Sequence, residues 1–127
     1  VSKKNKWGYL DEKMKLQIPY QYQAAESFEN NLAVVKKNEL YGIINKKNKV
    51  IADFKYNAIE RIPSTNYYLV TINDKKGILD NLGNIIISSE WDSIAFVSRT
   101  ILRAEKNNKV AYYNLITHKY IWQEDPF

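Results

Sequence analysis

A pattern that returns about every 34 residues limits what this chain can fold into. The opening block WGYLD at residues 7–11 returns as YGIIN at 41–45, KGILD at 76–80 and VAYYN at 110–114. The spacings between these blocks are 34, 35 and 34 residues. Repeats of this length are typical of proteins in which each unit buries its apolar face against the next one. The sequence therefore predicts one structural unit that is repeated in tandem.

Two further blocks follow the opening block in a fixed order. The second block reads IPYQY at 18–22, ADFKY at 52–56 and ISSEW at 87–91. The third block occupies residues 28–37, 62–72 and 97–106. We predict a single β domain over residues 1–127, with units at about 7–40, 41–75 and 76–109 and a partial unit at 110–122. Because residues 1–5 resemble residues 34–38, both ends are expected to be cut from a larger array.

The content of each unit predicts β-strands. The opening block is β-branched or aromatic and ends in Asp or Asn, residues that cap turns with their side-chain oxygens. A polar stretch and a second apolar run follow, which is the pattern of a hairpin, and Gly83 and Asn48 suit a left-handed turn position. The turn after Asn114 is expected to be one residue longer. The third block alternates with period two, as a third strand does.

These strands lead to a fold class. We predict an all-β chain of tandem antiparallel repeats, about three and a half units of 34 to 35 residues, in an open array. A closed arrangement, similar to a β-trefoil or a propeller, is the alternative. Partial copies at both ends favour the open array, because a closed ring contains whole units.

Two columns of residues recur at the same period. Small residues occupy one column, and aromatic residues occupy the other. The small column is Gly8, Gly42, Gly77 and Ala111, and the aromatic column is Tyr22, Tyr56 and Trp91. A glycine inside a strand marks a bulge or the close approach of another backbone. The aromatic column could form a ligand site, but its repetition in every copy favours packing between copies.

The composition excludes several classes of chemistry. The chain has no cysteine and one histidine, His118, which excludes disulfides, thiolate metal sites and metal sites that need two histidines. His118 lies in a turn and is expected at the surface. No stretch approaches the ~20 apolar residues that span a bilayer. We predict no catalytic residue, no cofactor, no metal site and no membrane span.

The positive charge raises the question of nucleic acid. The formal net charge is +5, and nineteen residues are basic. Only three of these are arginines, whose guanidinium is preferred for phosphate and guanine recognition. The lysines are scattered among acidic and apolar residues, which favours a role in keeping strand edges soluble. Binding of nucleic acid or another anionic polymer through the lysines is kept as the alternative function.

Positions that break the repeat are the better candidates for a specific contact. In our alignment Ala33 corresponds to Tyr68 and Arg103, and the first copy has no counterpart of Arg61 or Arg99. Tyrosine, tryptophan and arginine are favoured at protein interfaces. Ordinary drift on a solvent face is the other reading of these changes. The predicted partner contacts are Arg61, Tyr68, Arg99, Arg103 and Trp122.

The C-terminal segment 112–122 is aromatic and apolar, with no following block to cover it. We expect this end to meet another domain of a longer protein or a second copy of the chain. Removing residues 116–127 should then abolish the association.

The first copy resembles a known family. Residues 6–11 (KWGYLD), then IPYQY at 18–22, Phe28 and LAVVKK at 32–37 are similar to the WG-containing repeat, also called the KWG repeat. The likeness covers about residues 1–122, although Tyr41 and Lys76 replace the tryptophan in later copies. It implies β-rich tandem repeats in bacterial proteins, often extracytoplasmic and joined to other domains, without shared catalytic residues. The implied function is a non-catalytic module for protein interaction or scaffolding.

Overall fold

The structure is a computed structural model that describes residues 1–123, and within that range the regular elements are fifteen β-strands. The strands are β1 (Ser2–Lys3), β2 (Lys6–Leu10), β3 (Leu16–Tyr22), β4 (Ala24–Ala25), β5 (Leu32–Lys37), β6 (Leu40–Asn45), β7 (Val50–Tyr56), β8 (Ala58–Arg61), β9 (Tyr67–Ile72), β10 (Lys75–Asp80), β11 (Ile85–Trp91), β12 (Ser93–Phe96), β13 (Ile101–Lys106), β14 (Lys109–Asn114) and β15 (Lys119–Gln123). The all-β prediction is confirmed.

The strands form four antiparallel sheets, each of which follows the chain order. These sheets are β1–β3, β4–β7, β8–β11 and β12–β15. Tandem antiparallel repeats were predicted and are confirmed, and none of the four sheets closes into a barrel within residues 1–123. Each four-stranded sheet joins the third block of one sequence copy to the opening hairpin of the next copy. The sheets are therefore shifted against the sequence repeat.

Two-residue turns produce this shift. Asn38 and Glu39 connect β5 to β6 with φ values of 52° and 68°, and Asn73 and Asp74 connect β9 to β10 with 49° and 66°. Two successive residues with positive φ match the right-handed twist of the flanking strands, and asparagine tolerates that conformation. Because such a turn leaves no room for a crossing segment, the strands on either side must pair in one sheet.

The predicted side-chain caps are present in the longer hairpin turns. The Oδ1 atom of Asp80 accepts hydrogen bonds from the amides of Leu82 and Asn84, at 2.9 and 2.8 Å. Asp11 and Asn45 accept the same pair of bonds in their own turns.

The left-handed turn positions were also predicted correctly. Gly83 has a φ of 84°, and Asn48 has a φ of 63°. The fourth turn closes between Asn114 and Lys119, one residue later than the pair Asp80 and Asn84. His118 occupies the left-handed position of this turn, with a φ of 59°, and is exposed as predicted.

The chain forms two compact units, residues 1–59 and the part that begins at residue 60. Each unit has its own apolar core. The core of the first unit contains Ile18, Tyr22, Ala33, Val35 and Ile44. The core of the second unit contains Ile78, Ile87, Trp91, Leu102, Ala104, Ala111, Tyr113 and Leu115. Tyr22, Tyr56 and Trp91 are all buried, so the aromatic column serves packing.

The glycine column marks a close approach between two strand backbones. A Cβ atom on Gly77 would lie 2.6 Å from the carbonyl oxygen of Ile87, and the equivalent distances are 2.5 Å at Gly8 and 2.8 Å at Gly42. The pairing of β10 with β11 slips beside Gly77, as expected for a bulge. In the last sheet Ala111 pairs directly with Gln123 without such a slip. The slip of that sheet lies further along, between Tyr112 and Tyr113, so the pairing is regular where the fourth copy carries a methyl group.

Candidate functional site

Two of the predicted contact residues meet each other. The Nη1 atom of Arg61, in β8, donates a hydrogen bond of 2.9 Å to the hydroxyl oxygen of Tyr68, in β9. The guanidinium carbon also lies 5.4 Å from the centre of the tyrosine ring. Tyr68 is only 4% exposed. Tyr68 is therefore a buried residue that holds Arg61 through its hydroxyl group and ring.

Arg103 occupies a different strand position from the one predicted. The backbone closes between Ile62 and Tyr67 before β9, but between Val97 and Ile101 before β13, which is one residue shorter. The alignment of Arg103 with Ala33 and Tyr68 was therefore wrong by one residue. A shift of one residue moves a side chain to the opposite face of its sheet. Arg103 is in fact equivalent to Leu69.

This corrected position places Arg103 beside two aromatic residues. Arg103 pairs with Tyr112 across β13 and β14, and Tyr112 pairs with Trp122 across β14 and β15. The rings of Tyr112 and Trp122 are 6.2 Å apart. Arg103 also forms an ion pair of 3.3 Å with Glu105 on the same strand. We call Arg103, Tyr112 and Trp122 the outer row.

The outer row lies on the sheet face that points away from the described core. The alternate residues of β13 and β14 are buried in the core of the second unit: Leu102, Ala104, Ala111 and Tyr113. Arg103 and Tyr112 are half-buried, and Trp122 is 52% exposed. The row thus offers one guanidinium and two aromatic rings to solvent.

The C-terminal segment has the exposure that the sequence suggested, as far as the structure describes it. Tyr120, Ile121 and Trp122 are all exposed. Tyr120 also contacts the core, since its ring centre is 5.0 Å from that of Tyr113. Residues 124–127, which belong to the segment that we expected to meet a partner, lie outside the described residues.

Arg99 belongs to a separate place. It lies in the loop between β12 and β13 and is exposed. Together with Phe96, Val97 and Ser98 it faces residues 63–65 of the loop between β8 and β9, around a cleft of about 230 Å³. The structure therefore divides the five predicted residues among three places: the Arg61–Tyr68 pair, the outer row with Arg103 and Trp122, and the cleft beside Arg99.

Several charged groups on the second unit are already paired. The ammonium group of Lys75 contacts the Asp92 carboxylate, and this hydrogen bond, with a further one from the Asn107 amide, holds the pKa of Asp92 below its ordinary value. Lys106 lies 3.3 Å from Glu90 and 4.7 Å from the centre of the Trp91 ring. These contacts engage two of the lysines that could otherwise face a polyanion.

Within residues 1–123, no three His, Asp or Glu side chains come together in a way that could hold a metal ion. The same range contains no helix that is long and apolar enough to cross a membrane.

Sequence reasoning missed Tyr112, the centre of the outer row. Its signal was the period of β14, in which Val110, Tyr112 and Asn114 lie on one face and Ala111 and Tyr113 on the other. The two-residue turns were also missed, although Asn38-Glu39, Asn73-Asp74 and Asn107-Asn108 recur between the third block and the next opening block.

Comparison with known proteins identifies a family and similar solved structures. The family model described as WG containing repeat matches residues 7–41 and again residues 41–75. No match is found among curated proteins. The crystal structure of the computationally designed Ika8 protein is similar, with a TM-score of 0.47, 14% sequence identity, and coverage of 80% of this chain and 36% of that one.

Proposed function

Because the chain belongs to the family of WG-containing repeats, we propose that it is a non-catalytic module that binds another protein through the outer row. The partner is a separate protein, another domain of a longer bacterial protein or a second copy of the chain. Tryptophan, tyrosine and arginine contribute most of the binding energy at many interfaces, because they bury large areas and also form hydrogen bonds. The outer row contains one of each.

A single observation carries the proposal: Tyr112 and Trp122 of the outer row are more exposed than Ile78 and Ile87, which occupy the same positions in the preceding sheet. In sheet β8–β11, Leu69 pairs with Ile78, and Ile78 pairs with Ile87. In sheet β12–β15, the same three positions are occupied by Arg103, Tyr112 and Trp122. Ile78 and Ile87 are 0% and 4% exposed. This position is thus an internal contact in one copy and a free surface in the next.

The side chains of the outer row favour a partner surface that carries polar groups. They fit the apolar face of a further repeat less well. An apolar sheet placed on the outer row would remove water from Arg103 and Glu105. Burying an ion pair costs free energy unless further hydrogen bonds compensate for it. A partner surface that offers acceptors to Arg103 and apolar area to Trp122 fits better.

The test is a comparison of captured proteins. Wild-type chain, Arg103→Gln, Trp122→Ala and a control, His118→Ala, are immobilised and incubated with an extract of the producing cells. His118 is exposed in the turn between β14 and β15, outside the row. We expect the wild-type chain and the control to capture proteins that neither Arg103→Gln nor Trp122→Ala captures. Sedimentation velocity of the free chains tests a second copy as the partner.

Two outcomes would overturn the proposal. One is that all four chains capture the same proteins and sediment as monomers at every concentration. The other is tight binding of generic duplex DNA with a log–log salt slope steeper than about −4, since each phosphate contact contributes about −0.9. The second outcome would support the polyanion alternative.

A further inference from the structure

We propose a second binding site, the Phe96 cleft, which takes an acidic peptide segment of a partner protein with one leucine- or phenylalanine-sized side chain. The cleft is separate from the outer row and consists of a well and a mouth. The well is lined by Ile62, Leu69, Ile78, Ile94, Phe96 and Leu102. The mouth is the space beside Arg99 described above. Phe96 lines both parts.

The well is apolar and large enough for one side chain. Its volume is about 120 Å³, and all six residues around it are hydrophobic. A dry cavity of about 150 Å³ with such a lining holds a benzene ring, which indicates the size of group that fits. Ile62, Leu69, Ile94 and Phe96 are only half-buried, so the well is reached from solvent.

In the first unit, aromatic rings occupy the equivalent position. At the repeat position of Ile78 this unit has Tyr9, whose ring meets the Phe28 ring edge to face with 4.5 Å between centres. The Tyr9 hydroxyl donates a hydrogen bond of 2.6 Å to the carbonyl oxygen of Glu26. The depression outside these two rings is lined by charged residues, among them Asp11, Glu12 and Lys13. The second unit has isoleucine, Ile78, where the first unit has tyrosine, and Ile78 lines the apolar well.

The mouth supplies the charge complementarity. Arg99 is the only charged residue among the seven that line it. Among residues 1–123, no carboxylate forms an ion pair with Arg99. A guanidinium binds a carboxylate through two parallel hydrogen bonds, which fixes the direction as well as the distance. An apolar side chain in the well, followed by an aspartate or glutamate at Arg99, satisfies both parts of the cleft.

The mouth also offers hydroxyl groups to a peptide backbone. Ser64, Thr65 and Ser98 line it, and the Thr65 Oγ1 atom already donates to the carbonyl oxygen of Ile62 at 2.8 Å. This bond holds the loop at the rim of the well. The hydroxyl oxygens can accept hydrogen bonds from the amides of a bound peptide.

The test uses three fluorescein-labelled peptides and fluorescence anisotropy. The first peptide carries one leucine beside two glutamates. The second has alanine for leucine, and the third has glutamine for both glutamates. We expect the first peptide to bind about tenfold more tightly than either control, since a hydrogen-bonded charge is worth at least the 1.4 kcal/mol of a tenfold change. Amide chemical shifts should move at residues 62, 64, 65 and 96–99.

Variants of the protein locate the binding. Arg99→Gln should weaken binding of the first peptide about tenfold and leave the fold intact, because the side chain is exposed. Leu69→Phe should weaken it by filling the well. The matched control Arg103→Gln alters an arginine of the outer row and should bind as wild type does.

The proposal is wrong if the first peptide does not bind at millimolar concentration, or if it binds equally to wild type and Arg99→Gln. Tighter binding of 4-methylpentanoate than of the peptide would also overturn it, since the cleft would then belong to a small carboxylate. The Phe96 cleft does not include the outer row. A failure of the peptide experiment therefore does not change the expected result of the capture experiment, and a failure of the capture experiment does not change the expected peptide binding.

Discussion

The sheets β8–β11 and β12–β15 share strand order and the two-residue turn that joins their two central strands, but they use the same face differently. In the first of them Leu69, Ile78 and Ile87 pack into the core of the second unit. In the second, Arg103 and Tyr112 are half-buried and Trp122 is exposed. Within residues 1–123, sheet β12–β15 packs against this face of β8–β11, whereas no further sheet covers the same face of β12–β15. The side chains differ accordingly: isoleucine gains free energy by leaving water, whereas arginine and tyrosine can form hydrogen bonds at a surface.

The largest expected effect comes from truncating the central residue on this face of each sheet, Ile78 in β8–β11 and Tyr112 in β12–β15. Ile78→Ala should cost about 2–5 kcal/mol in the free energy of unfolding, because it leaves a cavity in a buried site. Tyr112→Ala should cost less than about 1.5 kcal/mol, since solvent can fill the space. Urea denaturation followed by tryptophan fluorescence measures both values. If the two variants lost equal amounts of unfolding free energy, Tyr112 would be packed as firmly as Ile78.

A smaller effect is expected from exchanging the small residues of the two sheets. Gly77→Ala should cost about 1–3 kcal/mol, because its methyl group would press on the backbone of β11. Ala111→Gly should cost about 0.5–1 kcal/mol, through the greater freedom of glycine in the unfolded chain. The same denaturation experiment compares them. If Gly77→Ala were neutral, the slip beside Gly77 would not require glycine.

The turn caps provide the next comparison. Asp80→Ala removes an acceptor for two backbone amides and should cost about 1 kcal/mol. Asp80→Asn should cost almost nothing, because Asn45 forms the same two bonds in the preceding copy. Thermal unfolding of the two variants measures the difference. A loss as large for asparagine as for alanine would contradict a role based on the side-chain oxygen.

The smallest effect concerns alkaline pH. Burial raises the pKa of Tyr113 above its ordinary value of 10.0, with a further contribution from Tyr67. The unfolded chain therefore loses this proton first, so the stabilisation is complete below about pH 10 and is lost as the pH rises through the folded pKa. Stability should be flat between pH 7 and 9 and fall above 10, less steeply in Tyr113→Phe. An unchanged slope in that variant would exclude Tyr113 as the source.

Much of the fold could be predicted because repetition multiplies weak local signals. A single Gly or Asn is ambiguous, but Gly8, Gly42 and Gly77 at one period indicate the same backbone contact three times. The candidate site was harder, because it depends on the copy that departs from the pattern. A loop shortened by one residue before β13 moved Arg103 to the other face, and a sequence alignment without pairing information did not locate that change.

The sequence by itself determined the strands, their turns and the residues that must be small or aromatic, since these follow from local conformation and from a fixed period. The tertiary structure alone decided which strands share a sheet and which faces meet water. Both depend on distances between residues far apart in the chain: Tyr112 gains its neighbours Arg103 and Trp122 only when three strands pair in register. The same holds for the well at Phe96, which exists only where two sheets pack with Ile78 between them.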